Sequence, residues 1–178
     1  MDAIPRIIHQ TWHSPIYRDG KGTPHSWTKI NPEWDYKLWL DDDLEPLVRE
    51  HRPDILDLFG AAPSIVQKTD LARYVMLWTF GGIYVDIDTD CLSSLQPLTQ
   101  CQKAVFCEEP PEHAEPAHMR GMERLWCNAV MASPAKHPFW DHLFAMIRHN
   151  RHAFARDVLE STGPLILSAA IETFCGGS

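Results

Sequence analysis

Three aspartates follow a short apolar run: Ile83-Tyr84-Val85 leads into Asp86-Ile87-Asp88-Thr89-Asp90. In an open α/β sheet, ligands bind beyond the carboxyl ends of the strands. Asp86 and Asp88 are two apart, so in extended chain they share one face. Two carboxylates converging there repel unless a cation lies between them or one is protonated. Hard oxygen ligands of this kind suit Mg²⁺ or Mn²⁺. Such an ion can clamp a diphosphate and neutralise the charge that builds on it as it leaves. Asp90 stands farther along the exit loop and is expected to be a solvated neighbour. An EF-hand loop starting at Asp86 fails, because Cys91 and Pro97 occupy the places that need Gly and Glu. A phosphatase of the haloacid-dehalogenase type would want Thr where Asp90 stands. On the three aspartates alone, a solvated acidic turn competes with the metal reading.

The chain before this motif must position it. Ser64 to Phe80 reads as a helix, with Ser64 as N-cap and Gly81-Gly82 as the C-terminal stop. Most of its surface is apolar, as expected of a buried helix. Asp70 and Arg73 interrupt that surface three residues apart, on one face, with Gln67 ahead of them. Charges are seldom buried unless paired or bound to a ligand. A self-satisfied ion pair and a ligand-binding pair both remain open at this point.

Around this centre, strands and helices alternate. Strands are expected over Ile4–Trp12, Tyr36–Trp39, Ile83–Val85, Ala104–Cys107 and Cys127–Ala132. Asp41, Asp42 or Asp43 would cap a helix over Leu44–His51, and further helices fall at His137–Asn150 and Leu165–Phe174. His13–Pro24, with Asp19, Gly20 and Gly22, reads as a loop, Asn31-Pro32 as a turn, and Glu108–Arg124 as an excursion. The pattern is that of one α/β domain over residues 1–178.

Composition narrows the classes. With 24 acidic against 16 basic residues, the net charge of -8 disfavours non-specific nucleic-acid binding. Five cysteines without a Cys-x-x-Cys pair argue against a zinc ribbon or a disulfide framework, although Cys101 and Cys107 could bridge. No apolar stretch is long enough for a membrane span, and no leader precedes Trp12. The chain as given is expected to be soluble and cytoplasmic, unless an N-terminal anchor is missing.

Thr69-Asp70-Leu71-Ala72-Arg73-Tyr74 followed by Gly81-Gly82-Ile83-Tyr84-Val85-Asp86-Ile87-Asp88 resembles the DXD region of glycosyltransferase family 32, the group of fungal initiating α-1,6-mannosyltransferases and inositol-phosphoceramide mannosyltransferases. Ile4–Trp12 is similar to that family's opening strand. Trp27, Asn31-Pro32 and Tyr36–Trp39 fit its second segment. Asn128–Ala132 with His137-Pro138, and Thr162-Gly163-Pro164, resemble later blocks. The likeness runs from about residue 4 to residue 170.

The resemblance implies a GT-A fold, Rossmann-like α/β; because the family's closing His/Trp-rich tail is missing, either the chain is truncated at its C-terminus, or the site is open and weak, or another residue substitutes. It also implies a Golgi-lumenal location if an N-terminal anchor is missing. It implies transfer of a hexose, mannose first, from a nucleotide-sugar donor to a glycan or glycolipid acceptor with retention. GDP-mannose or a UDP-sugar would be the donor and Mn²⁺ or Mg²⁺ the cofactor. By analogy Trp12 stacks on the base, Asp70 holds sugar hydroxyls, and Arg73 lies by the sugar or phosphate. Asp86 touches ribose, sugar or metal, Asp88 ligates the metal, and Asn128 faces the sugar. A remnant that binds nucleotide without turnover is the alternative.

Overall fold

The computed structural model describes residues 2–14, 25–155 and 157–176. The expected loop at His13–Pro24 therefore lies mostly outside the described residues. Strand β1 covers Ile7–Trp12, and helix α1 covers His25–Ile30. Strand β2 (Asp35–Leu40) then leads into helix α2 (Asp41–His51). Helix α3 (Leu56–Ala61) is followed by the long helix α4 (Ile65–Phe80) and strand β3 (Gly82–Val85). After these come β4 (Val105–Glu108), α5 (Glu115–His118) and β5 (Trp126–Ser133). Three helices close the order: α6 (Pro138–His149), α7 (Val158–Ser161) and α8 (Pro164–Gly176).

The strands form one mixed sheet in the order β2-β1-β3-β5-β4. β1 runs parallel to both β2 and β3, whereas β5 is antiparallel to β3 and to β4. That reversal brings the exit of β3 beside the first half of β5.

Helix α4 forms where its sequence caps it. Ser64 Oγ accepts from the Gln67 backbone N–H at 3.2 Å, and Gln67 Oε1 accepts from Ser64 N–H at 3.2 Å. Such a reciprocal cap stabilises a helix by about 1 kcal/mol. Gly81 ends it at φ 66°, donating its N–H to Leu77 O at 3.0 Å. A side chain at Gly81 would meet the Ala135 amide at 2.6 Å, and one at Gly82 (φ 94°) would run into the Ile7 carbonyl. Helix and strand can join this tightly only through glycine.

Leu71, Ala72, Tyr74, Val75, Met76 and Leu77 of α4 are fully buried. They pack with Leu44 and Val48 of α2, Trp140 and Leu143 of α6, and Leu167 of α8 in the larger core on one side of the sheet. A smaller core on the other face joins Ile8, Ile83 and Val85 to Trp27 and Trp34.

Two local expectations need correction, and one helix was not expected. Residues 25–30, to which the sequence reading gives no element, are helical: Ser26, Trp27 and Asn31, on and just after this short helix, hold the chain that follows the aspartate motif. Helix α2 begins at Asp41 itself, so the three aspartates fill its first turn. Asp43 reaches back to accept the Leu40 N–H at 2.9 Å, and all three suit the positive end of the helix dipole. Cys101 and Cys107 are both free thiols, as are the other three cysteines.

Candidate functional site

β1 and β3 end side by side, because they are parallel neighbours. Trp12, the last residue of β1, is half-buried there with its ring 4.5 Å from that of His13. Asp86 leaves β3 at the same edge, and Gln10 Nε2 donates to its backbone carbonyl at 3.2 Å. Beyond Asp86 the chain does not stay extended. Thr89 N–H donates to Asp86 O at 3.1 Å and Thr89 Oγ1 does so at 2.6 Å, closing a turn over residues 86–89. The expectation that Asp86 and Asp88 share a strand face therefore fails. The face is shared one step earlier, by Tyr84 and Asp86, whose side chains meet: the Tyr84 hydroxyl donates to Asp86 Oδ1 at 2.7 Å.

The turn is strapped from outside. Trp27 Nε1 donates to Thr89 O at 2.9 Å, Ser26 Oγ to Asp90 Oδ1 at 3.0 Å, and the Cys91 N–H to Ser26 Oγ at 3.1 Å. Asn31 Oδ1 accepts the Leu95 N–H at 2.7 Å. Asp90 is thus an exposed anchor for a surface helix.

Arg73 sits at the centre. One guanidinium nitrogen donates to Asn128 O at 2.8 Å and lies 3.3 Å from Asp86 Oδ1. The other terminal nitrogen is 3.4 Å from Asp70 Oδ1, and the group's carbon lies 4.5 Å from the centre of the Tyr84 ring. Its Nε is buried with no hydrogen-bond partner among the described residues. Arg73 and Asp70 are only 6% and 3% exposed. Burial opposes the Arg73 charge, but Tyr84, Asp70 and Asp86 outweigh it and hold the group above its ordinary value. Burial pushes Asp70 up, against the pull of Arg73 and of its hydrogen bonds.

Asp70 is held from two further elements. Asn128 Nδ2 donates to Oδ1 at 2.9 Å, and Thr162 Oγ1 donates to Oδ2 at 2.8 Å. Asn128 gets there through a bulge. Pairing between β4 and β5 jumps from Phe106↔Met131 to Cys107↔Cys127, leaving residues 128–130 without partners on β4. Bulges commonly re-aim a side chain in this way. The Asp86 N–H takes up Ala129 O at 2.8 Å on the other side.

Of the six residues singled out from sequence, Asp70, Arg73, Asp86 and Asn128 form one connected cluster. Trp12 stands at the same sheet edge, and Asp88 is exposed on the turn. Tyr84, Thr11, Tyr74 and Thr162 were not anticipated. Because Tyr84 donates its hydrogen to Asp86, it accepts from Thr11 Oγ1, 2.9 Å away. A signal for Tyr84 was available in its two-residue spacing from Asp86, and for Tyr74 in the stripe Gln67, Asp70, Tyr74 along α4.

The donor set suits a divalent ion bound together with phosphate. Asp88 has no hydrogen bond or ion pair among the described residues, and the hydrogen bond and ion pair given for the Asp86 carboxylate run through Oδ1. Among those residues no third His, Cys, Asp or Glu completes a protein cage. Mg²⁺-type sites commonly use one or two carboxylates and take the rest from substrate phosphates and water.

This mixed sheet, with an acidic turn at the end of its central strand, has a GT-A-like architecture, the fold of glycosyltransferase domains. The PaToxG glycosyltransferase superposes with a TM-score of 0.75 at 17% identity, covering 99% of this chain and 72% of that one. Residues 19–105 match the family described as "Glycosyltransferase sugar-binding region containing DXD motif". It is 30% identical over 176 residues to inositol phosphoceramide mannosyltransferase 2 of Schizosaccharomyces pombe, covering 97% of this chain and 47% of that protein. It is 32% identical over 173 residues to inositol phosphoceramide mannosyltransferase 3 of the same yeast, covering 93% and 44%. The chain thus spans a little under half the length of these relatives. Among the described residues no helix is long and apolar enough to cross a membrane.

Proposed function

We propose that this chain binds a nucleotide-sugar donor and transfers its hexose, mannose first, to a glycan or glycolipid acceptor with retention at the anomeric carbon. The names of the relatives support mannose and a lipid-linked acceptor, and GDP-mannose is accordingly the first donor to try, ahead of UDP-sugars. The observation that carries the reading is the Asp70–Arg73–Asp86 cluster, buried at Asp70 and Arg73 and half-buried at Asp86, two residues before the exposed carboxylate of Asp88. Two acidic side chains flank one guanidinium, an arrangement more acidic than self-neutralisation requires.

The residues divide the work. Asp88, with Asp86 Oδ2, would hold Mn²⁺ or Mg²⁺ against the diphosphate. When bound, that ion supplies neutralisation of the leaving charge. Arg73 adds positive charge that is already oriented and dry, so it reorganises little as the diphosphate departs. Asp70 and Asn128 accept and donate to sugar hydroxyls, Tyr84 aims Asp86, and Trp12 offers a ring for the base. No side chain is assigned as nucleophile; the leaving phosphate itself would assist attack from the same face.

Calorimetric titration with GDP-mannose and UDP-sugars, with and without Mn²⁺, tests this. Binding that needs Mn²⁺ and vanishes in Asp88→Ala is the expected result. A wild-type chain that binds none of these donors would sink the proposal.

A further inference from the structure

Thr162 belongs to the corner between α7 and α8, yet its side chain ends on α4, ninety-two residues away. The corner does not need that hydroxyl to dock. Gln67 Nε2 holds it through Phe154 O at 3.0 Å and Ser161 Oγ at 2.9 Å, and the Tyr74 hydroxyl donates to Thr162 O at 2.6 Å. Gln67 and Tyr74 flank Asp70 on one stripe of the helix. The docking contacts on either side of Asp70 leave the Thr162 hydroxyl with one task, its bond to Asp70 Oδ2. Thr162 is itself fully buried, so no water substitutes for it.

An ionised carboxylate offers about four acceptor positions. At Asp70, Thr162 and Asn128 take one each, and Arg73 leans on a third at 3.4 Å. The carboxyl plane is therefore fixed from two sides, with acceptor capacity to spare. We infer that Thr162 is a positioning residue: by fixing Oδ2 it orients the Asp70 carboxylate for recognition of the donor's sugar ring, without touching the donor. This rests on the donor-site reading above. It assigns the α7–α8 corner a part in telling a nucleotide sugar from a bare nucleotide.

The test compares two ligands on the full chain in the presence of Mn²⁺: GDP-mannose against GDP, with UDP-glucose against UDP alongside. In Thr162→Val, affinity for the sugar nucleotide should fall at least tenfold while affinity for the matching diphosphate stays within twofold. Thr162→Ser keeps the hydroxyl and should restore the sugar nucleotide to within threefold. A purely structural role would weaken both ligands alike in the Val variant, and that result overturns the inference, as does no change in either. If the wild-type chain binds diphosphates and sugar nucleotides equally, Asp70 reads no sugar and the inference fails, with the metal–diphosphate site intact. If it binds neither, the donor-site reading falls as well.

Discussion

Mild acid should destabilise this fold most through His9, with His137, whose pKa burial also lowers, adding in the same direction. His9 is 1% exposed in the middle of β1. Its Nε2 lies 2.9 Å from Gly81 O, so that nitrogen carries the hydrogen, while Nδ1 accepts from Trp39 Nε1 at 3.2 Å. The neutral tautomer satisfies both neighbours. A second proton on Nδ1 would face the Trp39 N–H, in a pocket also walled by the Phe80 ring with centroids 6.0 Å apart. Burial lowers the His9 pKa from 6.5 to about 4; the Gly81 bond opposes this and Lys37 adds to it. The native state thus binds fewer protons than the unfolded one, so stability is complete above pH 6.5 and is lost as pH falls from there toward 4. One pKa unit corresponds to about 1.4 kcal/mol, so the full loss is about 3 kcal/mol, with about 2 kcal/mol gone by pH 5. Urea unfolding followed by tryptophan fluorescence at pH 8, 7, 6 and 5 measures this directly. His9→Gln, which retains a donor and an acceptor, should be less stable at pH 8 but flatter with pH. Equal slopes for the two proteins between pH 7 and 5 would refute the assignment, as would an imidazole that titrates near 6.5 in the folded protein.

Arg73→Met leaves Asp70 and Asp86 facing each other without a cation. Breaking a buried pair in this way costs about 3–5 kcal/mol, measurable by urea unfolding, and donor binding should disappear. Tyr84→Phe strands the Asp86 oxygen and the Thr11 hydroxyl together. It should cost about 1–3 kcal/mol, and weaken Mn²⁺-dependent donor binding several-fold in calorimetry while secondary structure by circular dichroism is unchanged. Gly82→Ala puts a methyl group into the Ile7 carbonyl at a backbone angle that disfavours it. Thermal unfolding should show a loss beyond the roughly 1–2 kcal/mol that a left-handed backbone alone costs an L-residue, whereas Gly60→Ala, on helix α3 with open space around it, should be neutral to stabilising by up to about 1 kcal/mol.

The helix 65–80 and the strand 82–85 were legible in the sequence because cap, apolar stripe and glycine stop all agree. Asp70 and Arg73 stood out for the same reason: they break a run that is otherwise apolar. The aspartate motif was legible as chemistry but not as geometry. Period-two reasoning holds only while the chain is extended, and Thr89 folds it into a turn just where the motif begins. The helix at 25–30 was obscured because its six residues carry no apolar period long enough to register. Thr162 stood out only as part of the Thr162-Gly163-Pro164 block, and its partner was out of reach for a different reason. A threonine that matters only for the carboxylate it meets ninety-two positions away leaves no local pattern.

The reversal of strand direction between β3 and β5 has a kinetic consequence. The cluster needs Thr11 near the start, Asp70 and Asp86 in the middle, Asn128 later and Thr162 near the end, so its contacts join segments across almost the whole described chain. Contacts of such long sequence separation are closed late and slowly in folding. A nascent or nicked chain that builds α4 without these contacts would still lack the proposed donor site. On the proposed function, donor affinity would then report on completed folding. A donor added during refolding should raise the yield of native protein without speeding the early collapse.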